Sequence, residues 1–157
     1  MTKPSRPRPT LEQLNRYAET FNASATLKHF GVKVSFPDPD TVECVIDEIK
    51  PEQRGGLGTD AINGGVLSAM FDLAIGCTPA LVDPTRRSAT VHLSINFMRA
   101  VRGEKLIARS KVDRAGDVLL FASAQIFDDK GVVCATCTGM SRLSELTWAG
   151  GESPAIN

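Results

Sequence analysis

At 157 residues and 16.9 kDa the chain is long enough for one domain with a substantial hydrophobic core and short for two. Its 18 basic and 18 acidic residues cancel, so no global field directs it to nucleic acid or to an anionic membrane. A hydrophobic share of 42% with 23% charged residues is that of a soluble globular protein. The basic, proline-rich stretch 1–9 has no apolar run behind it, so it reads as a disordered tail and not as a signal peptide. The default location is cytoplasmic.

The spacing predicts one helix over 10–30. Thr10 is a candidate N-cap with Gln13 three residues on, Leu11, Leu14, Ala18 and Phe21 recur at helical intervals, and Gly31 closes it. Strands follow at 32–36 and 41–49, joined by the turn residues Pro37-Asp38-Pro39-Asp40. A glycine-rich loop over 51–59 leads into an apolar helix over 64–81. Four strands complete the domain at 90–97, 105–112, 118–127 and 132–142. In the first of these Val91, Leu93, Ile95 and Phe97 alternate with Thr90, His92, Ser94 and Asn96. The domain spans 10–145 and the residues from 146 form a peripheral tail.

Hairpin-connected strands around one apolar helix imply an antiparallel α+β domain, with the sheet wrapped on that helix. Such a sheet leaves an edge strand open, which favours pairing with a second copy. Asp72 is the single charged residue between Ala61 and Val82. A helix this apolar is expected to be buried, and a buried carboxylate calls for either a hydrogen-bonded structural role or a chemical one.

Cys134-Ala135-Thr136-Cys137 has the C-x-x-C spacing, but on a strand residues three apart face opposite sides, so a shared metal is not expected. The four cysteines read as buried free thiols. The two histidines, His29 and His92, read as surface or interface residues.

The ordered set Asn63-Gly64-Gly65-Val66 with Asp72, the strand Thr90 to Arg99, and Phe127-Asp128-Asp129-Lys130-Gly131 leading to Ala135-Thr136 resembles the hotdog-fold acyl-CoA thioesterases. The branch it is most similar to is the PaaI-like group of the 4-hydroxybenzoyl-CoA thioesterase superfamily. The resemblance implies hydrolysis of an acyl- or aryl-CoA to acid and free coenzyme A, with no metal and no redox cofactor. It implies Asp72 as nucleophile or general base, and the Gly64 backbone N–H, reinforced by the helix dipole, as donor to the oxyanion. Asn63 stands at the helix mouth, and the partner subunit's Thr90 position would orient the water. Gly65 and Phe71 are further substrate contacts, with Met70 and Phe97 as pocket lining. Arg99 and Arg114 are the candidates for the coenzyme A phosphates, from a set that includes Arg86, Arg87 and Arg102. The implied assembly is a homodimer that pairs into a homotetramer.

Three departures from the family pattern stand in the sequence. Asn63 occupies a place where many relatives have His. Leu57 aligns with the loop position of a water-holding Asn or Gln, with Gln53, Thr59 and Asp60 as possible substitutes. Ala100 replaces a proline. They leave two rivals in view: an acyl-CoA-binding sensor without turnover, and a 3-hydroxyacyl thioester dehydratase. The dehydratase normally needs a histidine that the helix mouth lacks.

Overall fold

The computed structural model describes residues 7–148; residues 1–6 and 149–157, which hold most of the two expected tails, lie outside the described residues. Six antiparallel strands form one sheet in the order β1-β2-β4-β5-β6-β3. They are β1 (Val32–Asp38), β2 (Thr41–Ile46), β3 (Arg86–Phe97), β4 (Leu106–Ala115), β5 (Leu119–Phe127) and β6 (Val133–Thr147). Helices α1 (Leu11–Asn22) and α2 (Ala25–Phe30) precede the sheet, and α3 (Gly64–Cys77) lies across it. This is the expected hotdog architecture.

The single N-terminal helix expected over 10–30 is two helices. Thr10 and Gln13 form the expected capping box, the Gln13 N–H reaching Thr10 Oγ1 at 3.3 Å and the Thr10 N–H reaching Gln13 Oε1 at 2.9 Å. The break comes at Asn22, whose side chain leaves the helix path to bond Val34 twice, each at 2.8 Å. Ser24 then caps α2 by accepting the Leu27 N–H at 3.4 Å. A side chain with both a donor and an acceptor can complete a strand's backbone pairing in this way. The other end also differs, because β6 continues to Thr147 and the Trp148 N–H bonds Thr85 O at 2.9 Å.

Leu67, Met70, Phe71, Ala74 and Ile75 form the buried side of α3. Beneath them the sheet presents small side chains, Ala108, Ala122, Ala124, Ala135 and Cys137, all buried. A close approach occurs at Gly139, where an added Cβ would stand 2.9 Å from Ile75 Cγ2 and 2.9 Å from His92 O. Only glycine admits the helix there. By length and composition Gly64–Leu81 could cross a membrane, but here it is the core helix of the sheet.

The α-helix stops at Cys77, short of the expected 81, and a tighter 3-10 turn runs over Thr78–Leu81. Pro79 is the cause: it has no N–H for Ile75 O, so the α ladder ends. The Thr78 N–H turns to Ile75 O, which leaves Ala74 O without its backbone donor, and hydroxyls bond both carbonyls. Ser110 Oγ on β4 donates to Ala74 O at 2.7 Å. Ile75 O accepts Thr78 Oγ1 at 2.7 Å and Ser141 Oγ of β6 at 3.2 Å. Ser110, Thr78 and Ser141 are all buried.

On β3 the expected alternation breaks. Thr90 pairs with Ser141 and His92 with Met140, so Val91 is an extra residue in the ladder, a β-bulge. Thr90, Leu93 and Ile95 are half-buried while Val91 and His92 are exposed. The bulge therefore moves Thr90 off the face that simple alternation gives it.

Ser110→Ala removes the buried donor to Ala74 O and leaves that carbonyl without a partner, a loss of about 1–3 kcal/mol. The expected outcome is a fall in Tm of several degrees. Ser141→Ala should cost less, because Ile75 O keeps the Thr78 hydroxyl. Thermal unfolding of both variants checks this order, and an equal loss would contradict it.

Candidate active site

The mouth of α3 is built by Asn63, the N-cap, whose Oδ1 accepts the Gly65 N–H at 2.8 Å. An added Cβ at Gly65 would lie 3.0 Å from that oxygen, so the second glycine keeps the cap in place. The first glycine has another role. Among the described residues nothing accepts the Gly64 N–H, and a Cβ there would meet only the Phe97 ring, at 3.8 Å. Gly64 thus presents an open donor at the positive end of the helix. Both glycines and Asn63 are exposed.

Asp72 corrects an expectation. The helix is buried on one side only, and its other side carries Gly65, Ser68, Ala69, Asp72 and Gly76, with Asp72 exposed. Spacings of three and four residues place these on one helix face. No described side chain bonds the Asp72 carboxylate, whereas Ser68 Oγ is used within the helix, donating to Gly64 O at 2.8 Å. The carboxylate is not consumed by a structural role. An open N–H and an unpaired carboxylate therefore share the outward side of one rigid helix, about 12 Å apart along its axis.

The loop before the mouth is pinned at its neck. The Asn63 N–H bonds Gln53 O at 2.9 Å, the Gly55 N–H bonds Ala61 O at 2.6 Å, and the Ile62 N–H bonds Val101 O at 2.8 Å. The Arg54 guanidinium ties this neck to the β3–β4 connection. It donates to Asp60 O at 2.8 Å and Gly103 O at 3.2 Å, and pairs with Glu104 at 2.9 Å. Its side chain is only 20% exposed, while that of Glu104 is 80% exposed. Arg54 is a site residue that sequence pattern alone does not single out. Its only signal was a cation immediately ahead of two glycines.

The loop side chains considered as substitutes for an amide are all engaged. Gln53 is buried, its Nε2 donating to Phe30 O at 2.9 Å and its Oε1 accepting the Lys50 N–H at 2.9 Å. Thr59 Oγ1 accepts the Ala61 N–H at 3.2 Å, and Asp60 pairs with Arg102 at 2.8 Å. Leu57 stands fully exposed with φ of 61°, a left-handed conformation that costs a leucine on the order of 1 kcal/mol.

The remaining candidates separate. Phe97 borders Gly64, and Arg99, two residues later, is exposed near the same mouth. Phe71 and Met70 are fully buried on the core side of α3, so they pack the core and leave the outward face to smaller residues. Arg114 lies over the Phe121 ring, 5.5 Å from its centroid, at the end of the sheet opposite the helix mouth. Arg87 lies over Trp148 at 5.5 Å, and Arg86 donates to Ser144 O. Both histidines are exposed.

The thiols are poor nucleophiles. Burial pushes Cys77 up to about 12, against a bond from Tyr17 and with the Asp72 charge adding to the rise. Cys44 is likewise raised, chiefly by burial. Cys134 and Cys137 each donate at 3.4 Å to a different carbonyl, Val132 O and Thr138 O. Among the described residues no three His, Cys, Asp or Glu side chains are grouped to hold a metal.

Comparison with known proteins shows what this geometry is similar to. A family model described as the thioesterase superfamily matches residues 60–135, which span the helix mouth, α3 and the strands to β6. A provisionally named esterase of Thermoplasma acidophilum is 24% identical over 119 residues, 76% of this chain and 88% of that protein. A crystal structure of a Shewanella oneidensis protein related to the thioesterase superfamily superposes with a TM-score of 0.75 at 24% identity, covering 85% of this chain and 96% of that one. The E. coli PaaI protein from the phenylacetic acid degradation operon gives a TM-score of 0.74 at 16% identity, over 88% and 99% of the two chains. The chain has the hotdog fold of these structures, and its residues 60–135 are similar to the thioesterase superfamily.

Proposed function

We propose that this protein is an acyl-CoA thioesterase that works as a dimer. Water adds to the thioester carbonyl and Asp72 takes the proton; because about 12 Å along one helix is too far for one carbonyl to meet both groups, the developing oxyanion is received by the Gly64 N–H at the N-terminus of the partner subunit's α3. The tetrahedral adduct then expels the thiolate of coenzyme A, which recovers the proton, and leaves the acid. The observation that carries this reading is the open Gly64 N–H and the unpaired Asp72 carboxylate on the outward side of one helix. A donor already aimed and a base already free need no rearrangement as the charge develops, which is where such sites derive most of their rate.

Dimerisation is supported by β3. It is an edge strand of 12 residues, and Val91, Phe97 and Met98 at its free side are 51%, 55% and 52% exposed. A long open edge with apolar side chains is covered most simply by a second copy in antiparallel pairing. Phe97 and Met98 would then wall the groove that receives the acyl chain. Arg99, exposed beside them, is the cation placed to meet a coenzyme A phosphate.

Thiol release measured on short, medium, aryl and long acyl-CoAs tests the reading. Asp72→Asn should lower kcat by at least about a hundredfold on the responsive substrate, with the fold retained. No turnover by the unaltered protein on any of them, or full rate in a folded Asp72→Asn variant, would exclude hydrolysis by this carboxylate. Tight binding without turnover would favour the sensor reading.

The loop neck gives a second test. Arg54→Ala removes the link between the loop and the β3–β4 connection, so the helix mouth loses its bracing. The expected result is a loss in kcat of about tenfold or more with a smaller change in Tm, since a 1 Å displacement of a reacting group is sufficient for such losses. Arg54→Lys, whose compact ammonium lacks the planar fork that spans these separated acceptors, should resemble Arg54→Ala.

A further inference from the structure

The sheet has two edge strands, β1 and β3, and the chain treats them differently. From Ser88 to Phe97 the β3 edge carries no proline and no Lys, Arg, Asp or Glu. β1 carries Lys33, Pro37 and Asp38 within seven residues, and charge and proline on an edge discourage a further strand from pairing there. At Val34 the β1 edge is also closed by a side chain.

Val34 stands opposite Cys44 of β2, yet its backbone bonds Asn22. Its N–H donates to Asn22 Oδ1 and its carbonyl accepts from Asn22 Nδ2, each at 2.8 Å. In an antiparallel strand the N–H and C=O of one residue point to the same side. Both Val34 groups therefore point away from β2, to the side on which a further strand would lie. A primary amide offers one donor and one acceptor, as the backbone of that strand would. Asn22 fills its place.

The amide is held there by its helix. Tyr17, five residues earlier on α1, sets its ring edge-on to Phe36 of β1, with centroids 6.0 Å apart and planes at 71°. Arg8, ahead of α1, pairs with Asp40 just beyond β1 at 3.0 Å. These contacts run α1 along β1, and its last residue, Asn22, ends on Val34. Twelve residues separate the two partners, so no local turn dictates the bond.

We propose that Asn22 is an edge stop: it closes β1 to a second copy of this chain, so that the sheet can be extended only at β3. Two open edges on one sheet would let copies add without limit, β3 to β3 and then β1 to β1, into a growing ribbon. With β1 closed, pairing ends at the first contact. The edge stop is independent of the reaction at the helix mouth and does not rest on the hydrolase reading.

Sedimentation velocity of the full chain over a range of concentrations tests it. Asn22→Ala frees Val34 while placing a better helix former at the end of α1, so the fold should persist by circular dichroism. Its mass should rise with concentration to at least about twice that of the unaltered protein, because one β1-to-β1 contact joins two assemblies. Asn22→Asp is the control for lost stability. It gives up the bond to the Val34 carbonyl, but its charge at the edge opposes pairing, so Tm should fall with no rise in mass. Adding Ser35→Lys to Asn22→Ala places a second cation beside Lys33 on the exposed face of β1 and should return the mass to that of the unaltered protein. Should Asn22→Ala fail to fold, Asn22→Ser, whose hydroxyl is too short to bond both Val34 groups, is measured in the same way. Either variant, folded and at the unaltered mass at every concentration, would overturn the proposal. Growth that persists with Ser35→Lys, or equal growth in Asn22→Asp, would overturn it too, by placing the new contact away from the β1 edge.

Discussion

The rotation of α3 about its own axis is the constraint on which the rest of the molecule depends. The helix is apolar enough to be buried on any side, so hydrophobicity alone does not choose which residues face out. The choice is made by directional contacts at its C-terminal turn, where Ser110 and Ser141 bond the Ala74 and Ile75 carbonyls, and by the close approach of Ile75 to Gly139. A hydrogen bond specifies an orientation where dispersion does not. With those residues turned to the sheet, the helical repeat carries Gly65, Ser68, Asp72 and Gly76 outward.

Both ends of α3 are finished by side chains, and with different consequences. At the C-terminus Pro79 breaks the ladder and buried hydroxyls bond the Ala74 and Ile75 carbonyls. At the N-terminus Asn63 satisfies one donor, on Gly65, and the Gly64 N–H stays open. The asymmetry gives the helix one closed end, embedded in the sheet, and one chemically available end. The pinned loop neck, with Arg54 bridging Asp60, Gly103 and Glu104, holds that available end against the β3–β4 connection. Preorganisation of this kind resides in residues that never touch the reacting atoms.

Much of the molecule was legible in the sequence for a physical reason. Antiparallel order followed from turn chemistry between alternating segments, because Asp and Gly at a turn act locally. The capping box at Thr10 and the N-cap at Asn63 were also readable, since a cap involves residues only two or three positions apart. The central helix and its lone carboxylate stood out by composition. Errors came where a distant partner intervened. Asn22 left its helix to bond Val34, splitting 10–30 in two. Pro79, visible in the sequence, ended α3 at Cys77 while the chain continued in a tighter turn that kept the apolar pattern running.

By itself the sequence determined the strand and helix types, the antiparallel hairpins and the presence of an Asp on an apolar helix behind two glycines, all consequences of local backbone preference and hydrophobic period. Tertiary structure alone decided that Asp72 faces outward and unpaired, that the Gly64 N–H is open while the Gly65 N–H is spent on Asn63, and that Thr90 turns toward the helix. Each of these depends on register and rotation between elements far apart in the chain. A single bulge at Val91 changes the face of every residue beyond it, and no local propensity encodes where that extra residue falls.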